Sequence, residues 1–198
     1  MDVSQFFLHR HRIVHPSVTS ELLTEITDAE IRCCPVKGIN TIAWLVWHMA
    51  RTEDIGLNRF VGHRPQLFFE EAWGERLNVT FPDFGVGMTA EEVADLSARI
   101  NLEALRAYWA AVDQRTQSIV EKLRPQDLDE DNSPAYIRQV VDEDGIFREA
   151  GMWAEGMWAE KPDRSKGFFL GYLGFTHNWL HLGEAMVIRS LLGHAGPG

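Results

Sequence analysis

The chain has 198 residues, 45% of them hydrophobic and 24% charged, the composition of an ordinary folded domain rather than a disordered one. Its 29 acidic and 19 basic residues give a formal charge of −10, which repels phosphate backbones and anionic lipid, so no nucleic-acid partner is expected. The length fits a single domain over residues 1–198, and no apolar run reaches the roughly 18 residues of a membrane span. The first residues lack the order of a secretory signal, so a cytoplasmic protein without a membrane partner is expected.

In chain order, Val3–His15 and Val18–Ile26 read as helical segments, with Pro16 either kinking one helix or dividing it in two. The adjacent Cys33 and Cys34 are too close for an unstrained mutual disulfide and read as reduced, space-filling thiols. Residues 40–61 form a second helix, with Ile42, Leu45, Met49 and Ile55 at helical spacing and Pro and Gly on both flanks. A capping box of Thr89 and Glu92 opens the longest predicted helix, whose stripe from Val93 to Leu123 ends at Pro125. The last helix spans about 167–192, with Leu170, Leu173, Leu180, Ile188 and Leu191 apolar and Gly193 as its stop.

Four helical units with no alternating pattern except at Val79–Phe81 predict an all-α fold, an antiparallel four-helix bundle. The connections 62–88 and 125–166 are longer than most bundle loops. The second contains GMWAE twice, at 151–155 and 156–160, a duplication read as a loop feature without chemistry.

His177 and His181 stand four residues apart, so on a helix both imidazoles can reach one ion. Both share a stripe with Leu170, Leu173 and Ile188, and His48 breaks the apolar face of the second helix near Trp44, Leu45 and Ile55. Buried imidazoles need partners. Three of them from two helices supply nitrogen ligands that zinc, nickel or iron accepts, with positions left over for water or substrate.

Glu184, on the same face as the pair, is the expected acceptor for a ligating imidazole's second N–H. Glu53 and Asp54 read instead as a helix-surface or interhelix ion pair with Arg51 or Arg59. His9, His11 and His15 read as surface or bundle-packing residues, and His63 and His194 as solvated. Trp44, Trp47, Tyr108, Trp109 and Trp179 read mainly as core, with Trp44, one turn from His48, the best candidate for a pocket wall. HNWLH lacks the Glu of the metallopeptidase helix motif, and no Gly-rich phosphate loop, Gly-x-Ser-x-Gly elbow or Cys-x-x-Cys pair is present.

WLVWHMARTEDIGLNRF around His48 and HNWLHLGEA around His177 and His181 resemble the DinB-like (DinB/YfiT) superfamily of metal-binding four-helix bundles. The resemblance implies a metal triad of His48, His177 and His181 and a homodimer. For characterised relatives it also implies transfer or isomerisation with a low-molecular-weight thiol. Two functions follow as expectations. One is a metal-dependent enzyme that activates water or such a thiol against a small electrophilic substrate. The other is a non-catalytic metal-binding stress-response module.

Overall fold

A computed structural model describes residues 2–194, which contain helices and turns but no strand. The first helix, α1 (Val3–Ser17), begins at a capping box in which Asp2 accepts from Gln5 N at 2.8 Å and the Gln5 side chain accepts from Asp2 N. Pro16 neither ends nor divides it. The proline lies in the last turn, and the chain continues into a π-helical turn, Val18–Leu22, where the hydrogen-bond register widens.

A short α2 (Asp28–Ile31) follows, and Cys33 and Cys34 beyond it are exposed free thiols rather than space-filling core. The helix α3 (Ile42–Ile55), capped by Thr41 and extended by a π turn at Gly56–Val61, is buried at every position. The predicted surface role of Glu53 and Asp54 is therefore corrected, since a helix enclosed on all sides has no surface face.

Asp54 instead anchors the following connection. It accepts from the backbone N–H groups of Leu67 and Phe68 at 2.8 and 2.9 Å, from Tyr108 Oη at 2.6 Å and from Asn58 Nδ2 at 2.7 Å. Arg51, one of the two expected partners, pairs with it at 3.4 Å in the buried interior, whereas Arg59 pairs with Asp144 at 2.8 Å. Glu53 accepts from Thr116 Oγ1 and Asn178 Nδ2 and bonds the Nε2 atoms of His11 and His15, all within 2.8 Å. His11 and His15 are thus buried in packing, not on the surface.

The connection after α3 holds α4 (Leu67–Glu70) and α5 (Trp73–Leu77), and Val79–Phe81 is not a strand. The predicted long helix is two, α6 (Ala90–Arg99) and α7 (Leu102–Val120). Ile100 adopts extended backbone and Asn101 caps the new start by accepting from Ala104 N, a break with neither Gly nor Pro to mark it.

The second long connection contains α8 (Pro134–Asp144), a 3-10 turn at Glu149–Ala154 and α9 (Gly156–Ala159). The final helical stretch is α10 (Lys166–Gly171), a π turn at Tyr172–Thr176 and α11 (His177–Leu191). Each π turn inserts an extra residue, which rotates everything beyond it by about 100° on the helix surface. That rotation corrects the predicted apolar stripe: Leu182, Ala185 and Ile188 are buried, while Leu180 and Leu191 face outward.

Both α1 and α3 pack against α7 and α11. Gly56 sits against Leu173, where a Cβ would stand only 2.6 Å from the leucine side chain, so glycine lets the extension of α3 approach the π turn before α11. Trp47, Tyr108 and Trp109 fill the core around α3 and α7, and a second aromatic cluster of Phe60, Trp158 and Phe169 fills the other end. Trp179, by contrast, is exposed.

Candidate metal centre

His48 lies mid-way along α3, His177 opens α11 and His181 follows one turn later, so the close packing of α3 on α11 brings all three rings together. Ring centroids are 4.8 Å apart for His48 and His177, 4.9 Å for His48 and His181, and 4.5 Å for His177 and His181. One nitrogen of each ring lies within 4.8 Å of the others, a group able to hold a metal ion.

The outward nitrogens determine what the inward ones offer. His48 Nδ1 donates to the Phe84 carbonyl at 2.5 Å, which leaves Nε2 as the lone-pair atom, 3.1 Å from His177 Nε2. His181 Nδ1 meets Glu184 Oε2 at 3.0 Å, and Asn40 Nδ2 donates to the other Glu184 oxygen at 3.1 Å. His177 Nδ1 is buried and has no hydrogen-bond partner.

Burial, followed by the neighbouring imidazoles, pushes the His48 pKa far down. The same causes, burial and then His181, lower that of His177 to about 3. Both rings are neutral at pH 7, the form that ligates. The hydrogen bond from His181 keeps Glu184 below its ordinary pKa, so its carboxylate stays ionised.

Glu184 lies beside His181 as its helical spacing predicts, whereas the Phe84 carbonyl belongs to a loop 36 residues from His48 that no local pattern links to it. Two devices hold that loop. Asp83 accepts from Gly85 N at 2.8 Å and pairs with Arg148 at 3.2 Å. Gly85 has φ +90°, and a Cβ there would stand 2.7 Å from Trp47 and 3.0 Å from Trp44. The His48 ring stacks on Trp44 at 4.5 Å and on Phe84 at 5.4 Å, which fixes its plane.

The three histidines open on a cavity of about 360 Å³ whose wall includes Trp44, Phe84, Trp153, Met157, Trp158 and Tyr172. Among the described residues, no Lys, Arg, Asp or Glu lines it. The duplicated GMWAE segment, read from sequence as chemically idle, supplies part of this wall. Its first copy forms the 3-10 turn and its second enters α9, so equivalent tryptophans differ: Trp153 is 68% exposed at the rim and Trp158 4% exposed among Phe84 and Phe147. A larger depression beside Phe68, Phe69 and Pro82 is lined, among the described residues, by no histidine or cysteine.

His63 and His194, expected to be solvated, are paired, while His9 is exposed. His63 Nε2 bonds Asn132 Oδ1 at 3.0 Å, and His194 Nε2 meets Glu30 at 3.1 Å.

No curated protein matches the chain. A solved structure described as a conserved protein of locus from Enterococcus faecalis shares the fold at TM-score 0.71 and 20% identity, covering 98% of this chain and 99% of that one. The family description of the DinB superfamily matches residues 14–185, which include all three histidines and Glu184. On that match, the chain belongs to the DinB superfamily.

Proposed function

We propose that the chain is a single-domain, DinB-like antiparallel four-helix bundle in which His48, His177 and His181 bind a divalent transition metal, zinc or nickel before iron. On this reading it is an enzyme that activates water or a low-molecular-weight thiol for transfer to, or isomerisation of, a small electrophile. One observation carries the proposal: three imidazoles with mutually close nitrogens open on an apolar cavity instead of being sealed in core. The donor set fits such an ion, because His48 and His181 already use their other nitrogens on a carbonyl and a carboxylate.

A divalent ion held by neutral ligands supplies the Lewis acidity that draws a proton from water or a thiol near neutral pH. The chain's own residues do the remainder. Phe84 O and Trp44 hold the His48 ring in one plane and tautomer. Glu184 holds His181, and its charge makes that imidazole a stronger donor. Trp158, Met157 and Tyr172 exclude water and receive the apolar body of a substrate.

Three exposed apolar residues on α11, Leu180, Val187 and Leu191, support the homodimer that the family resemblance implies. The enzymatic reading is tested by assaying thiol-plus-electrophile turnover with zinc and with nickel. Turnover lost in His181→Ala, with the helical circular dichroism retained, is the expected result. No turnover with either metal, together with a large metal-dependent rise in Tm, contradicts the enzymatic reading and leaves the non-catalytic module.

A further inference from the structure

None of His11, His15, Asp113 or Glu53 lines the cavity of the triad, yet His11, His15 and Asp113 form a second convergence of atoms able to ligate. His11 and His15 are one turn apart on α1, and the two Nε2 atoms each lie 2.8 Å from a different oxygen of Glu53. Burial alone would raise the Glu53 pKa, but the two imidazoles hold it below the ordinary carboxylate range. An ionised carboxylate only accepts, so both Nε2 atoms carry hydrogen and the two Nδ1 atoms are the ones left to take a metal.

Those two Nδ1 atoms are buried and without a hydrogen-bond partner. They face the same oxygen, Asp113 Oδ1, at 3.4 Å from His11 and 4.0 Å from His15. Three atoms able to ligate therefore converge on one point, each within 4.8 Å of the others. A metal ion there satisfies both nitrogens and the carboxylate oxygen at once.

We propose that His11 Nδ1, His15 Nδ1 and Asp113 form a second divalent transition-metal site, with Glu53 as the carboxylate that orients both imidazoles. Imidazole ligands held from behind by a carboxylate are the arrangement that fixes the tautomer and raises ligand basicity. Bonds of about 2.0–2.1 Å place tetrahedral ligands about 3.3 Å apart, close to the 3.4 Å gap, and Asp113 must move to close the 4.0 Å one. Its side chain is 28% exposed, which allows that movement and gives an ion an entry at the α1–α7 seam.

The rings are held in advance, His15 stacked on Trp109 at 4.0 Å and His11 on Phe7 at 5.4 Å. Gln117 Nε2 donates to Asp113 Oδ1 at 2.8 Å and steadies the third ligand. Bound there, the ion ties α1 to α7.

Titration of the metal-stripped, tag-free full chain with Co2+, read by visible absorption and by equilibrium dialysis, tests the proposal. In a His48→Ala, His177→Ala, His181→Ala variant, one equivalent should still bind, and adding Asp113→Asn should weaken it by at least tenfold. Because Asp113 is partly exposed, that substitution spares the core, and in the wild-type background it should weaken one equivalent by the same factor. Either of two results overturns the site: no Co2+ bound by the triple variant with its helical dichroism intact, or binding that Asp113→Asn and His15→Gln leave unchanged. Neither result bears on the triad, whose own equivalent is scored separately.

Discussion

Removing the Glu184 carboxylate isolates what the surroundings of the triad contribute, because this side chain touches His181 and Asn40 but is not itself among the converging ring nitrogens. Its bond to His181 Nδ1, 3.0 Å long, fixes which nitrogen faces the cavity, and loss of such a carboxylate typically costs about 10–100-fold in metal affinity. At a metal concentration of about 100 times the wild-type Kd, bound metal stabilises the fold by about 2.7 kcal/mol. A tenfold weaker Glu184→Ala variant at the same concentration keeps about 1.4 kcal/mol of this. The difference of about 1.3 kcal/mol lowers the metal-loaded Tm by about 3–5 °C for a chain of this size.

The metal-free Tm should barely move, since Glu184 is part-exposed and lies in no core cluster. Thermal denaturation of both proteins, with and without metal, provides the comparison, and Glu184→Gln, which keeps an acceptor but loses the charge, should fall between them. Equal metal-induced shifts in wild type and Glu184→Ala would refute the reasoning. So would a metal-free Tm that drops as far as the loaded one.

Gly85→Ala should destabilise the metal-free protein by about 1–3 kcal/mol, from the φ of +90° and the 2.7 Å approach to Trp47, and weaken metal binding by displacing Phe84; denaturant melts and metal titration read the two effects. The pH dependence of metal-free stability has a stated sign for Glu53. Its folded pKa lies below the unfolded one, so its contribution is complete above the unfolded value of about 4.3 and is lost as pH falls through the folded value. Acid titration monitored by circular dichroism should therefore show a smaller loss of stability below about pH 4 in Glu53→Gln than in wild type.

The three histidines were legible because each interrupts an apolar stripe, and a polar group on such a stripe needs a partner wherever the chain folds. Glu184 was legible by the same helical spacing. Glu53 and Asp54 were not, because facial arguments presume that a helix has a solvent side and α3 has none. The π turn at Tyr172–Thr176 defeated a constant 3.6-residue period and turned Leu180 outward, to 64% exposure. The break at Ile100 and Asn101 offered only a capping Asn inside an otherwise helical pattern. The Phe84 carbonyl and the unequal fates of Trp153 and Trp158 depend on loop paths that local propensity does not encode.

The most direct test of the central claim is the metal content of tag-free wild-type protein against the His48→Ala, His177→Ala, His181→Ala variant, both exposed to equal zinc and dialysed. The account predicts that the variant holds one equivalent fewer than wild type while keeping its helical dichroism. Equal metal content in the two folded proteins would contradict it.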